Sequence, residues 1–288
     1  MGHPASVAGR QMRTSEWIQI GFAILLAAAA WIQALSAHPL PPRRRWNITL
    51  LAVVPIAAVM LVRSTVLFLP PLHVSIIRDW LTVALFLVPY WQTGQFFQGP
   101  NHSIEERLLA FDRWLMPQTA ATSGTSRTGL GLALEVAYLF CYPLVPLGLA
   151  ALYAAGQRGH VASFWLVVLV ATYLCYLITP FVPAYPPRDL AGSRPGPAQA
   201  GKARVFNRWI LKHGSIHAIS FPSAHVASAF AVALVLLRFT PTFGLVFLFV
   251  SIWIALGAVV GRYHYALDVL LGAATALAVF LACYRYLI

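Results

Sequence analysis

Apolar residues in this chain neither alternate with polar ones nor recur on a single helical face. They come in long runs separated by short polar punctuation. A run of about 20 apolar residues is what a helix needs to cross a bilayer. Eight such runs are legible, at roughly 16–36, 46–69, 79–98, 130–155, 161–182, 219–239, 243–261 and 265–287. A membrane-spanning barrel would instead alternate over short segments. The predicted fold is therefore all-α: a polytopic helical membrane protein with about eight transmembrane helices.

The punctuation is informative. "HPLPPRRRW" separates the first two runs and "PPLH" ends the second, since proline stops helices. Arg63 lies inside the second run and is expected to snorkel or pair. After the third run, Ile104, Leu108, Leu109, Phe111 and Leu115 recur at near-helical spacing. That spacing predicts an amphipathic helix on the membrane surface, followed by a Ser/Thr/Gly linker. The most basic stretch, with Arg188, Arg194, Lys202, Arg204, Arg208 and Lys212, separates the fifth and sixth runs. No internal repeat and no separate soluble domain is visible.

Composition sharpens this picture. The 288 residues are 59% hydrophobic and only 10% charged, against roughly 25% charged in soluble domains. The net charge of +12 lies in loops between apolar runs. Anionic headgroups or a phosphorylated substrate are the expected partners, rather than nucleic acid. Cys141, Cys175 and Cys283 all sit inside apolar runs and imply no disulfide or metal framework. The first apolar run is long and lacks a small-residue cleavage site, so it reads as a retained span.

Three polar clusters interrupt the pattern: "PPR" at Pro186–Arg188, "FPSAH" ending at His225, and "GRYHYALD" from Gly261 to Asp268. Counting spans places all three at one face of the membrane. His264 and Asp268, four apart, share a helical face. A carboxylate beside an imidazole holds one tautomer and makes the other nitrogen a better nucleophile or base. Arg262 and Arg188 supply forked cationic donors for phosphate. The start of the sixth helix, with Ser223 and His225, has the makings of an anion site from free backbone N–H groups. Each cluster also has a plainer reading. Ser223 suits a helix cap, His264–Asp268 a structural pair, and the arginines lipid headgroups. Zinc is a further alternative, since His213, His217, His225 and His264 lie near this face, although their spacing matches no common ligand motif.

At these residues the chain resembles the type 2 phosphatidic acid phosphatase superfamily of membrane lipid phosphatases and phosphotransferases. "PSAH" matches its Pro-Ser-x-His motif, and "HYALD" its His-x-x-x-Asp. The third-motif arginine of most members stands six residues before the histidine; here that position is Ala258, and Arg262 is only two before. "PPR" ahead of "FPSxH", with "FDRWL" earlier, is similar to the branch that includes inositol phosphorylceramide synthases. The likeness covers roughly 79–288 as a six-helix core, leaving 1–78 as a tail and two additional helices.

The resemblance implies a metal-free, cofactor-free reaction on a lipid phosphate. His264 would be the nucleophile, Asp268 would orient it, and His225 would protonate the leaving alcohol. Ser223, Arg188, Arg262 and Arg194 would hold phosphate oxygens. Hydrolysis, transfer of a phospho-alcohol headgroup, and a non-enzymatic lipid-binding or transport role with a degenerate site all remain open. The family implies a bacterial plasma membrane with the site on its extracytoplasmic face. The excess of Lys and Arg on the site face, Arg43–Arg45 included, points the other way.

Overall fold

The computed structural model describes residues 11–116, 129–190, 202–216 and 218–287. Among them there are helices and connecting turns but no strand. The helices are α1 (Thr14–Gln33), α2 (Pro42–Ser64), α3 (Pro71–Leu85), α4 (Val88–Gly94), α5 (His102–Leu115) and α6 (Gly129–Leu139). They continue as α7 (Leu144–Ala154), α8 (Val161–Ile178), α9 (Lys202–Gly214), α10 (Ala224–Phe239), α11 (Pro241–Val260) and α12 (Ala266–Cys283).

Six stretches among the described residues are long and apolar enough to cross a membrane: α1, α2, α3 with α4, α8, α11 and α12 with their flanking turns. The chain is a multi-pass membrane protein. Two of the eight predicted runs take a different form. The run at 130–155 is broken into α6 and α7, which meet at a 73° bend. Pro143 sits at the break and offers no N–H to carry the helix through. The run at 219–239 yields a helix of only 16 residues, roughly 24 Å long against a hydrocarbon core of about 30 Å. Its first residues, Ser220–Ser223, are non-helical and contain a cis Phe221–Pro222 bond.

The third span begins at Pro71, earlier than hydropathy suggests, and so carries Arg78 and Asp79 within it. Both charges are matched. Arg78 makes a forked pair to Glu16, with both contacts at 2.7 Å, and Asp79 receives Arg13 and Arg158. Pairing of this kind is what makes an ionised group tolerable inside a membrane.

α10 is the hub, packing on α7, α8, α11 and α12. Its sequence, "AHVASAFAVALV", is rich in small residues. Lipid tails are as apolar as leucine, so helix association in a bilayer depends on close backbone approach rather than on burial from water. Gly272 of α12 shows this where it matters. A Cβ there would lie 2.5 Å from the Ser223 carbonyl oxygen. Glycine at this point lets α12 press against the mouth of α10.

Candidate active site

Ser223 caps α10, its Oγ accepting from the Val226 N–H at 3.4 Å. Its own N–H donates to the Asp268 carbonyl at 3.0 Å, tying the second motif to the third. The Ala224 N–H is taken by the Ser220 Oγ at 3.0 Å. The expected cradle of free amides at this helix start is thus largely engaged within the chain. Pro222 stands before the cap rather than in the first helical turn.

Two histidines meet beside this mouth. The rings of His225 and His264 lie 5.8 Å apart and nearly perpendicular. His264 is buried, and its Nδ1 lies 3.1 Å from Oδ2 of the fully buried Asp268. With the Nδ1 proton directed at the carboxylate, Nε2 is left as the nitrogen with a lone pair to offer. Burial, together with the Arg188 guanidinium, pushes His264 below its ordinary value. That direction favours the neutral ring.

Arg188 is held in place by four contacts. Its N–H donates to the Arg262 carbonyl at 3.0 Å. Its Nη1 reaches the Tyr263 carbonyl at 3.4 Å, and its guanidinium lies over the Tyr263 ring at 5.6 Å. Asp189 is 3.5 Å from its Nε. With its side chain only 15% exposed, it shares one small pocket with His225, His264 and Ser220.

Not every predicted residue joins this pocket. Ser223 is fully buried as the cap, and Ser220 lines the pocket in its place. Arg262 adopts a left-handed φ of 60° and is not among the pocket-lining residues; its charge acts instead on Asp112 and Tyr265. Arg194 and His217 lie outside the described residues. His213 sits on α9 with its Nδ1 2.8 Å from the Trp209 carbonyl, so of the four histidines weighed for zinc only His225 and His264 are seen together.

Several contributors were not singled out from sequence. Tyr138 stacks on Tyr263 at 4.0 Å and meets the His225 ring edge-on. The Tyr263 hydroxyl donates to Glu135 Oε2, which also takes the Asn207 side-chain amide at 2.9 Å. Arg204 lies 3.7 Å from the same carboxylate and donates to the Gly261 carbonyl at 3.4 Å. This buried group fastens α6 and α9 to the loop bearing His264. A glutamate inside an apolar run is the signal that sequence offered.

The pocket holding both histidines has a volume of about 20 Å³, room for about one water. Two larger spaces flank it. An apolar cavity of about 290 Å³ reaches His225. A basic one of about 490 Å³ is lined by Arg188, Arg208 and Lys212. Leu211 and Ser215, at and just beyond the C-terminal end of α9, line all three spaces.

Two histidines, a buried carboxylate behind one of them and a fixed guanidinium thus meet at the mouth of α10 in a multi-pass helical bundle. A family model places the chain in the PAP2 superfamily over residues 106–282, and the protein belongs to that superfamily. Its function is accordingly of the phosphatase or phosphotransferase type. Comparison with curated proteins and with solved structures returned no match.

Proposed function

We propose that the protein is an integral membrane lipid phosphatase that cleaves a phosphate monoester through a phosphohistidine. The observation that carries this reading is the buried His264–Asp268 pair facing His225, in a pocket that adjoins an apolar cavity. His264 Nε2 attacks phosphorus. The bond from phosphorus to the lipid oxygen breaks, and that oxygen takes the proton that the phosphate monoanion brought into the pocket and passed to His225. His225, neutral again, takes a proton from water as the water oxygen attacks the phosphohistidine. The N–P bond breaks, inorganic phosphate takes that proton back from His225 as it leaves, and His264 and His225 return to their starting neutral states. Arg188 holds charge on the phosphoryl oxygens throughout. Ser223 and Arg262 act around it by fixing the backbone that carries His225, Arg188 and His264, and Arg194, outside the described residues, is kept as a further phosphate-binding cation on the family resemblance alone.

Replacing water by an alcohol in the second step gives a transferase, as in the inositol phosphorylceramide synthase-like branch. The basic cavity outside Arg188 favours keeping this second reading, because it has space for a polar acceptor. Phosphate release from detergent-solubilised lipid phosphates, with and without EDTA and beside the His264→Ala and His225→Ala variants, tests both. Release that survives EDTA and is lost in folded variants is the expected result. Activity within a few-fold of wild type in either variant would sink the mechanism. Turnover only on addition of an alcohol acceptor to a phospholipid donor would select the transferase.

A further inference from the structure

A second cluster of cations lies at the other end of the bundle, where α1, α3 and α8 begin. Arg13, just before α1, Ser75 and Asp79 of α3, and Arg158, between α7 and α8, line a cavity of about 590 Å³ together with Thr14 and Ser15. Asp79 is shared there: Arg13 pairs with its Oδ1, and Arg158 Nε lies 3.1 Å from its Oδ2. Each guanidinium also puts its Nη2 at 2.7 Å from the one Ser75 hydroxyl oxygen. The two Nη2 atoms are therefore no further apart than twice that distance. Arg78 and Glu16 cancel one another nearby, so two cations are left sharing one carboxylate. Like charges held this close repel, and a bound anion offsets that cost.

The surroundings suit an oxyanion. The contacts just named engage two of the three nitrogens on each guanidinium, and the Arg13 and Arg158 side chains are 30% and 28% exposed. Thr14 and Ser15 belong to the first turn of the 20-residue helix α1, whose positive dipole end and free N–H groups favour a negative ligand. Forked guanidinium groups and hydroxyls together match the several oxygens of a phosphate. Depth points to a headgroup. Ser75 and Asp79 come four and eight residues after Pro71, about 6 and about 12 Å along α3. Trp17, one turn into α1 and 62% exposed, marks the level of the membrane interface, where tryptophans concentrate. Arg13, Ser75 and Asp79 all precede residues 106–282, which the family model matches. The cluster thus depends on residues outside the stretch that the superfamily shares.

We propose that this cavity is a second phosphate-binding site, holding a phosphate group between Arg13 and Arg158 on the membrane face opposite the histidine pocket. The group is carried by the headgroup of an anionic phospholipid in that leaflet or arrives as free phosphate. Bound there, it ties the start of α1 to α3 and to the α7–α8 turn.

The test follows the unfolding temperature of the full chain in neutral detergent as dioctanoyl phosphatidylglycerol, dioctanoylglycerol or inorganic phosphate is added. Phosphatidylglycerol should raise it saturably and dioctanoylglycerol should not. Arg13→Gln should weaken the apparent affinity about tenfold. That variant leaves Asp79 paired with Arg158, so no buried carboxylate is stranded. Arg158→Gln, which leaves the Arg13 pair, serves if the first does not fold. Arg188→Gln, which removes the cation of the histidine pocket, should keep the full effect. Stabilisation by inorganic phosphate, with the same loss in Arg13→Gln, supports the site with free phosphate as its ligand. Stabilisation by neither phosphatidylglycerol nor phosphate overturns the proposal. So does stabilisation that Arg13→Gln and Arg158→Gln leave unchanged, or that Arg188→Gln abolishes.

Discussion

At the scale of single residues the proposed chemistry turns on which nitrogen of His264 is free. Asp268 fixes this by taking Nδ1 at 3.1 Å from a fully buried position. Asp268→Asn keeps the shape but presents an amide able to donate to Nδ1, which stabilises the wrong tautomer. Turnover should fall by up to about 10⁴, the loss seen when the carboxylate behind a catalytic imidazole becomes an amide, with substrate binding little changed. Phosphate release and displacement binding on the folded variant check this. Equal loss of binding and turnover would mean that Asp268 holds the fold rather than the tautomer. The pair itself was legible in sequence, because i,i+4 spacing on a helix start leaves little freedom. The tyrosines were not. Tyr138, Tyr142 and Tyr263 sit in apolar runs or beside a motif, where an aromatic residue ordinarily means packing. Ser220 and Ser223 illustrate the same limit: both flank the same proline, and only the backbone path reveals that Ser223 turns into the cap while Ser220 meets the pocket.

At the scale of elements, the start of α12 is fastened from outside. The surface helix α5 sends Asp112 to accept the Ala266 N–H at 2.8 Å, and Glu105 of the same helix accepts the Tyr185 N–H at 2.8 Å. An amphipathic helix through Ile104, Leu108, Leu109, Phe111 and Leu115 was expected from spacing; its grip on the loop bearing His264 was not, since capping in trans leaves no local signature. Burial, helped by the charge of Asp268, raises the Asp112 carboxyl to about 6, against the opposing Ala266 N–H and Arg262. Its ordinary value is about 3.9. Between those limits the folded state binds more protons than the unfolded one, so stability falls as pH rises through that window. Melting curves of wild type and Asp112→Asn should therefore diverge from about pH 4 to about pH 6, wild type losing ground, and run parallel above about pH 7. Divergence of the opposite sign would show that the ionised carboxylate is the form the fold prefers. The break between α6 and α7 was likewise hidden. Proline is common enough in membrane helices that Pro143 alone does not distinguish a kink from a 73° bend.

At the scale of the whole molecule, two polar assemblies sit at opposite ends of the bundle. One is the histidine pocket. The other joins Arg13, Ser75, Asp79, Tyr153 and Arg158, with both guanidinium groups 2.7 Å from the Ser75 hydroxyl. Counting cations on each face to orient the protein assumes that they are free to obey the positive-inside rule. Many on the site face are committed elsewhere. Arg44 donates to the Gln95 and Phe97 carbonyls. Arg45 lies over the Trp31 ring at 5.0 Å. Arg204 lies against Glu135, and Arg188 belongs to the pocket. Their number reflects these internal contacts and, on the proposed function, an anionic substrate, which removes much of the force of the charge count and leaves the extracytoplasmic placement as our proposal. Ser103 reports on it directly, being exposed at the start of α5 on the site face. With Cys283, the one cysteine that is not buried, changed to Ser, Ser103→Cys should react with a membrane-impermeant thiol reagent in intact cells. Labelling only after lysis would put the site on the cytoplasmic side, where the positive-inside rule had placed it, and the lipid phosphate would then have to reach the enzyme from the inner leaflet.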